Sequence, residues 1–230
     1  MSEIKAVLFD KDGTLFDFQK TWGAFHGAFL GALAGGDSAR LDALAHATQY
    51  DLKAGLFLPG SPVIAGSLNV VTGLMLPHLP DWTEADLMAR IRKDTSAARQ
   101  VPVCPLGPLM DRLRGAGVRL GIATNDAEAP ARANLRQEGI EDRFEFIAGY
   151  DSGFGGKPEP GQLLAFADTV DLPPRQIAMV GDSTHDLHAG HAAGMVRVAV
   201  LTGVARDKDL APHADVVLPD IGHLPNWMSL

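Results

Sequence analysis

Two carboxylates two residues apart, Asp10 and Asp12, end the apolar run Val7-Leu8-Phe9 and are followed at once by Gly13 and Thr14. In an extended backbone, positions i and i+2 face the same side. The spacing therefore predicts that both acids arrive together at the carboxyl end of a buried strand. Like charges held that close need a cation or a shared proton to compensate them. Alone, the fragment reads equally as a strand followed by an Asp-Gly turn. Three further polar clusters follow later strand-like runs: Thr124 with Asn125, Lys157 before Pro158, and Asp182 with Asp186. Singly, a threonine there is a helix cap, a Lys-Pro a solvated loop, and a Gly-Asp-Ser a turn. In this order and at these places, together, they compose a phosphoryl-transfer site.

The elements that must position these groups divide the chain in two. Between about residues 20 and 100, Trp22, Phe25, Phe29, Leu30 and Leu33 recur at spacings of three and four, as on an amphipathic helix. Leu41, Leu44, Ala45, Thr48 and Leu52 repeat the pattern after Gly35-Gly36-Asp37, and a Gly/Pro-punctuated loop spans Gly55 to Pro62. Two more helical stretches, near 63–76 and 83–98, complete a small helical insert in which no strand is expected. From Val101 the pattern changes. Apolar runs at 118–123, 144–148, 177–180, 196–200 and 216–218 alternate with helical stretches at 128–137, 162–169 and 187–193. Such alternation predicts an α/β fold, a parallel sheet with helices on both faces. Ligands of these sheets sit at the carboxyl ends of the strands, where every one of the polar clusters falls.

Composition narrows the function. The 230 residues carry 20 Lys and Arg against 28 Asp and Glu, a net charge of −8. That balance argues against a nucleic-acid or anionic-membrane partner, since phosphate backbones call for a basic face. The one cysteine, Cys104, excludes an internal disulfide framework and suits a reducing compartment. No charged-then-apolar leader opens the sequence, and no run approaches the roughly 20 apolar residues of a membrane span. A cytoplasmic protein, monomer or homodimer, is expected.

The four clusters together resemble the motifs of the haloacid dehalogenase superfamily. Its Asp-x-Asp-x-Thr matches Asp10-Lys11-Asp12-Gly13-Thr14, and its strand-closing Thr or Ser matches Thr124. Its lysine matches Lys157, and its acidic motif matches Gly181-Asp182-Ser183-Thr184-His185-Asp186. The resemblance covers essentially the whole chain. It implies a Rossmann-like catalytic core from residues 1–17 and 100–230, with residues 18–99 as a helical cap domain. It also implies catalysis by Asp10, Asp12, Thr124 and Lys157 through an aspartyl-phosphate. Asp10 is then the nucleophile, and Asp12 the acid and base for leaving group and water. Mg²⁺ is the implied cofactor, held by Asp10, the backbone carbonyl of Asp12 and Asp182. Asp186 is a further ligand or a carboxylate beside them. Lys157, Thr124 and the Asn125 N–H are implied to bind the phosphoryl oxygens.

The substrate implied is a small organic phosphate monoester, with phosphoglycolate the leading single compound. Within the insert, Lys20 and Lys53 are the candidate cations for a substrate carboxylate or second phosphate, beside Trp22 and His26. Sequence departures from the phosphoglycolate phosphatase pattern are Lys11, where leucine is usual, and Phe18. Neither is expected to touch the chemistry. Alternatives are a sugar-phosphate phosphomutase, a phosphonate hydrolase using a cap lysine such as Lys53, and a non-catalytic binding protein. His185, His188 and His191 invite a zinc reading, but their i, i+3, i+6 spacing drifts around a helix and does not converge on one ion. A dinucleotide site is excluded, since no Gly-x-Gly-x-x-Gly follows the first strand.

Overall fold

The computed structural model describes residues 3–58, 60–65, 68–96 and 98–230. It divides into two compact units, one formed by residues 1–18 and 100–230 and the other by Gln19–Arg99. In chain order the elements are β1 (Ala6–Phe9), α1 (Ala24–Ala34), α2 (Ser38–Ala47), β2 (Tyr50–Asp51), β3 (Leu56–Phe57), α3 (Pro62–Ala65), α4 (Leu68–Met75) and α5 (Glu84–Ser96). Then come α6 (Leu106–Gly115), β4 (Arg119–Ala123), α7 (Glu128–Gln137), β5 (Phe146–Ala148), α8 (Gly161–Val170) and β6 (Ile177–Gly181). The chain closes with α9 (Thr184–Ala193), β7 (Val196–Val200), α10 (Asp207–Leu210), β8 (Val216–Leu218) and α11 (Leu224–Trp227).

The first unit is an α/β structure around a six-stranded sheet of order β5-β4-β1-β6-β7-β8, parallel throughout. β1 is central. Phe9 pairs in register with Ile122 of β4 on one side and Val180 of β6 on the other. Strand periodicity sends alternate residues to opposite faces. Val7 and Phe9 join Leu106, Met110, Leu113 and Leu135 on one face, while Ala6 and Leu8 join Leu163, Phe166 and Ala189 on the other. Both faces are thus dry, which explains the unbroken apolar character of the strands. Gly121 is required within β4, because a Cβ there would press on the Phe166 ring.

The second unit holds α1 to α5 and a π-helical turn at Gln19–Gly23. The expectation of an insert without strands needs correction. β2 and β3 pair as a short antiparallel hairpin inside the segment read as helix and loop. Two side chains hold it in place. Gln19 both donates to the Phe57 carbonyl and accepts from its N–H, and Tyr50 donates its hydroxyl to the Gly23 carbonyl at 2.7 Å. The second helix also ends earlier than its apolar spacing suggests, because Gln49 takes a positive φ of 50°. Leu52 therefore lies in the hairpin turn and is exposed. His26, Tyr50 and Phe57 form an aromatic cluster, and the buried His26 ring meets the Thr48 hydroxyl at 3.1 Å. No described helix is long and apolar enough to cross a membrane.

Candidate active site

Asp10 leaves β1 at the carboxyl edge of the sheet, where the chain turns and the Lys11 carbonyl accepts N–H bonds from Leu15 and Phe16. Gly13 makes that turn at φ +80°, and its carbonyl accepts the Thr202 hydroxyl at 2.6 Å. Neighbouring edges bring the other groups. Asp182 follows β6, and Asp186 lies in the first turn of α9. There Ser183 caps the helix while donating its hydroxyl to Asp186 Oδ2 at 2.6 Å, the reciprocal capping arrangement of helix N-termini.

Lys157 ties the cluster together. Its buried ammonium donates to Asp10 Oδ1 at 2.6 Å and stands 2.6 Å from Asp186 Oδ1. Its backbone is clamped by Asn125, whose side-chain amide donates to the Lys157 carbonyl at 2.9 Å and accepts its N–H at 2.8 Å. Thr124 is buried at the end of β4, with its hydroxyl oxygen accepting the Asp126 N–H at 3.0 Å. That contact leaves the hydroxyl proton to donate.

Asp10, Asp182 and Asp186 present carboxylate oxygens within 4.8 Å of one another. Burial is the largest influence on Asp10 and lifts its carboxyl from 3.8 to about 7; Lys157 opposes the rise and Asp186 adds to it. Asp182 is raised well above its ordinary value, first by burial and then by Asp10 and Asp186. For Lys157, burial is the largest single effect and pulls downward, but the two acids outweigh it and hold the ammonium above the usual lysine value. Three acids against one ammonium leave negative charge to be compensated. An all-oxygen donor set of this kind fits a hard divalent cation such as Mg²⁺. The backbone also closes tightly here, since a Cβ on Gly13 or Gly203 would run into the Asp182 carboxylate.

Asp12 stands close enough for its charge to add to the rise of the Asp10 carboxyl. The chain has turned by this point, and the Asp12 carboxylate is paired with Lys11 Nζ at 2.6 Å. It stands outside the group formed by Asp10, Asp182 and Asp186. Lys20 and Lys53 lie in the second unit. Lys20 is exposed on the π-helical turn, and Lys53 is exposed in the β2–β3 turn, its N–H donated to Asp51. His188 meets His213 at 3.4 Å, and among the described residues the three histidines of α9 form no metal-ligating group. Sequence reasoning missed Gly203, whose closeness to Asp182 is tertiary, and missed Asn125 as a clamp on a residue 32 positions away. It also missed Lys11, whose side chain is fully buried.

The sheet unit is a parallel α/β fold with an acid–lysine cluster at the carboxyl edge of its strands. The family model described as haloacid dehalogenase-like hydrolase matches residues 4–194, and the chain belongs to that family. It is 31% identical to the phosphoglycolate phosphatase of Rhodospirillum rubrum, over 98% of this chain and 91% of the relative. Solved structures share the fold. The CbbY protein of Rhodobacter sphaeroides, crystallised with xylulose-1,5-bisphosphate, superposes at a TM-score of 0.64 with 20% identity, covering 96% of each chain. The β-phosphoglucomutase of Clostridium difficile superposes at 0.60 with 19% identity, covering 96% of this chain and 93% of its own.

Proposed function

We propose that this hydrolase is a Mg²⁺-dependent phosphatase that cleaves a small organic phosphate monoester through an aspartyl-phosphate on Asp10. The observation that carries the reading is the Lys157 ammonium set 2.6 Å from both Asp10 and Asp186, beside Asp182. The ammonium holds the Asp10 carboxylate in place and offers positive charge to the equatorial oxygens of a transferring phosphoryl group. Asp10 attacks phosphorus, and the leaving alkoxide departs with a proton from Asp12. Asp12 then takes a proton from the water that attacks the aspartyl-phosphate, releasing phosphate and restoring Asp10. The Thr124 hydroxyl and the Asn125 N–H donate to the phosphoryl oxygens, held at the right height by the Asn125–Lys157 clamp. Asp10, Asp182 and the Asp12 carbonyl would hold the Mg²⁺, with Asp186 beside them. The bound ion supplies the charge that lets an anionic nucleophile meet a phosphate dianion.

Similarity to a phosphoglycolate phosphatase over nearly the full length of both chains supports phosphoglycolate as the leading substrate. Residues 19–99 serve in this reading as the cap domain, with Lys20 and Lys53 as its substrate-facing cations. The test is phosphate release across a panel of small phosphomonoesters, with Mg²⁺ or with chelator, and with Asp10→Asn in parallel. Mg²⁺-dependent, Asp10-dependent release of one ester is the expected result. Isomerised sugar phosphate without free phosphate would instead assign a phosphomutase. Lys53→Ala is expected to raise KM for an acidic substrate more than for a neutral aryl phosphate, and equal effects would remove Lys53 from the site.

A further inference from the structure

Lys11 lies between the two aspartates of the first motif, where a solvated side chain would be the ordinary expectation for lysine. Its side chain is instead wholly buried. Its ammonium meets Asp12 Oδ2 at 2.6 Å, Asp126 Oδ2 at 3.3 Å and donates to Asn134 Oδ1 at 3.2 Å. Burial is the largest influence on this ammonium and pulls it downward, yet Asp12 and Asp126 outweigh it and hold it above the usual lysine value. The three partners come from three places: the turn after β1, the segment after β4, and α7. Asp126 is itself fixed. Its N–H is given to Thr124 Oγ1, its carboxylate accepts the Ala127 N–H at 2.8 Å, and its carbonyl accepts the Tyr150 N–H.

We infer that Lys11 is a positioning residue that fixes the Asp12 carboxylate and ties it to the Thr124–Asp126 segment, so that poor leaving groups depend on it. The inference rests on the phosphatase reading above, in which Asp12 protonates the leaving oxygen. An alkoxide is a poor leaving group and needs that proton at the right place; p-nitrophenolate does not. A carboxylate with one oxygen held at 2.6 Å by a buried cation has few orientations left. An apolar residue at position 11 would remove this ion pair from Asp12 and leave Asp126 without its buried cation.

The experiment measures kcat/KM, which reports the phosphoryl-transfer half alone, for p-nitrophenyl phosphate and for a series of alkyl phosphates. The proteins are the full chain, Lys11→Met, Asn134→Leu and Asp12→Asn, with Mg²⁺ present and folding followed by circular dichroism. Lys11→Met is expected to lose at least about tenfold more on alkyl phosphates than on p-nitrophenyl phosphate, in the same direction as Asp12→Asn. Asn134→Leu, which loosens the anchor and keeps the ion pair, is expected to show a smaller loss of the same pattern. It carries the test alone if Lys11→Met does not fold. A loss equal for all leaving groups, or none, in the folded variants would overturn the inference. If the unaltered protein releases phosphate while Asp12→Asn shows no dependence on the leaving group, the role given to Asp12 fails and the inference with it. If the unaltered protein releases none, the phosphatase reading itself has failed.

Discussion

The two units bury polar groups in opposite ways. In Gln19–Arg99 the described buried polar side chains are neutral, and all but Thr72, whose hydroxyl is buried without a hydrogen-bond partner, find their partners locally. His26 meets Thr48, Thr48 donates to the Leu44 carbonyl at 2.8 Å, and Ser61 donates to the Thr48 carbonyl at 2.6 Å. Burial holds His26 well below its ordinary value, from 6.5 to about 4, so it stays uncharged. In the sheet unit the buried polar groups include Asp10, Asp186, Lys11 and Lys157, and three acids crowd one ammonium. Buried charge is expensive unless compensated. A fold that keeps a surplus of it in one place is holding a site, whereas a self-satisfied neutral cluster is holding a core.

The largest effect that would break this contrast belongs to Asp10. Asp10→Asn is expected to reduce phosphate release by more than about ten-thousandfold while leaving the fold intact. Retained activity in that variant would move the chemistry elsewhere.

A smaller effect concerns stability and metal. Asp10 has a folded value of about 7 against an ordinary 3.8. A raised carboxyl means that the folded state binds the proton more tightly than the unfolded one. Without metal, its contribution to stability is therefore lost as pH rises from about 4 through 7. Mg²⁺ compensates the ionised acids, so its increment in Tm is expected to be larger at pH 8 than at pH 5. Calorimetry showing equal increments would contradict the charge surplus.

The smallest effect tests the neutral side of the contrast. His26 titrates near 4 folded and 6.5 unfolded. Its contribution is present above about 6.5 and is lost as pH falls toward 4, because the unfolded state takes up the proton first. Between pH 7 and pH 5 the protein is expected to lose about 2 kcal/mol that a His26→Phe variant does not lose. Identical denaturant-unfolding curves for the two proteins across that range would remove His26 from the neutral core.

How much of this was legible in the sequence follows from range. The buried strands and α7, whose bounds at Glu128–Gln137 match the helical pattern, are set by local periodicity and apolar runs. The polar clusters could be seen because each sits directly beyond such a run. The β2–β3 hairpin could not, since two residues per strand carry no period and its anchors are Gln19 and Tyr50 acting at a distance. Lys11 reads in sequence only as a departure from the usual leucine, with nothing local to mark it as buried. Its burial depends on Asp126 and Asn134, which lie more than a hundred residues later.

The central position of β1 has a consequence for how the chain is made. Its hydrogen-bonding neighbours, β4 and β6, begin at Arg119 and Ile177, so β1 is an orphan during synthesis until more than a hundred further residues exist. At about 5–20 residues per second of synthesis, that wait is on the order of ten seconds. Through that interval Val7, Leu8 and Phe9 are an unpaired apolar edge. The whole Gln19–Arg99 segment emerges meanwhile and can begin to collapse on its own local contacts. Closing the sheet then demands long-range pairing, the slow kind of folding event. Nascent chains stalled before residue 119 should be the most chaperone-dependent and aggregation-prone form of this enzyme.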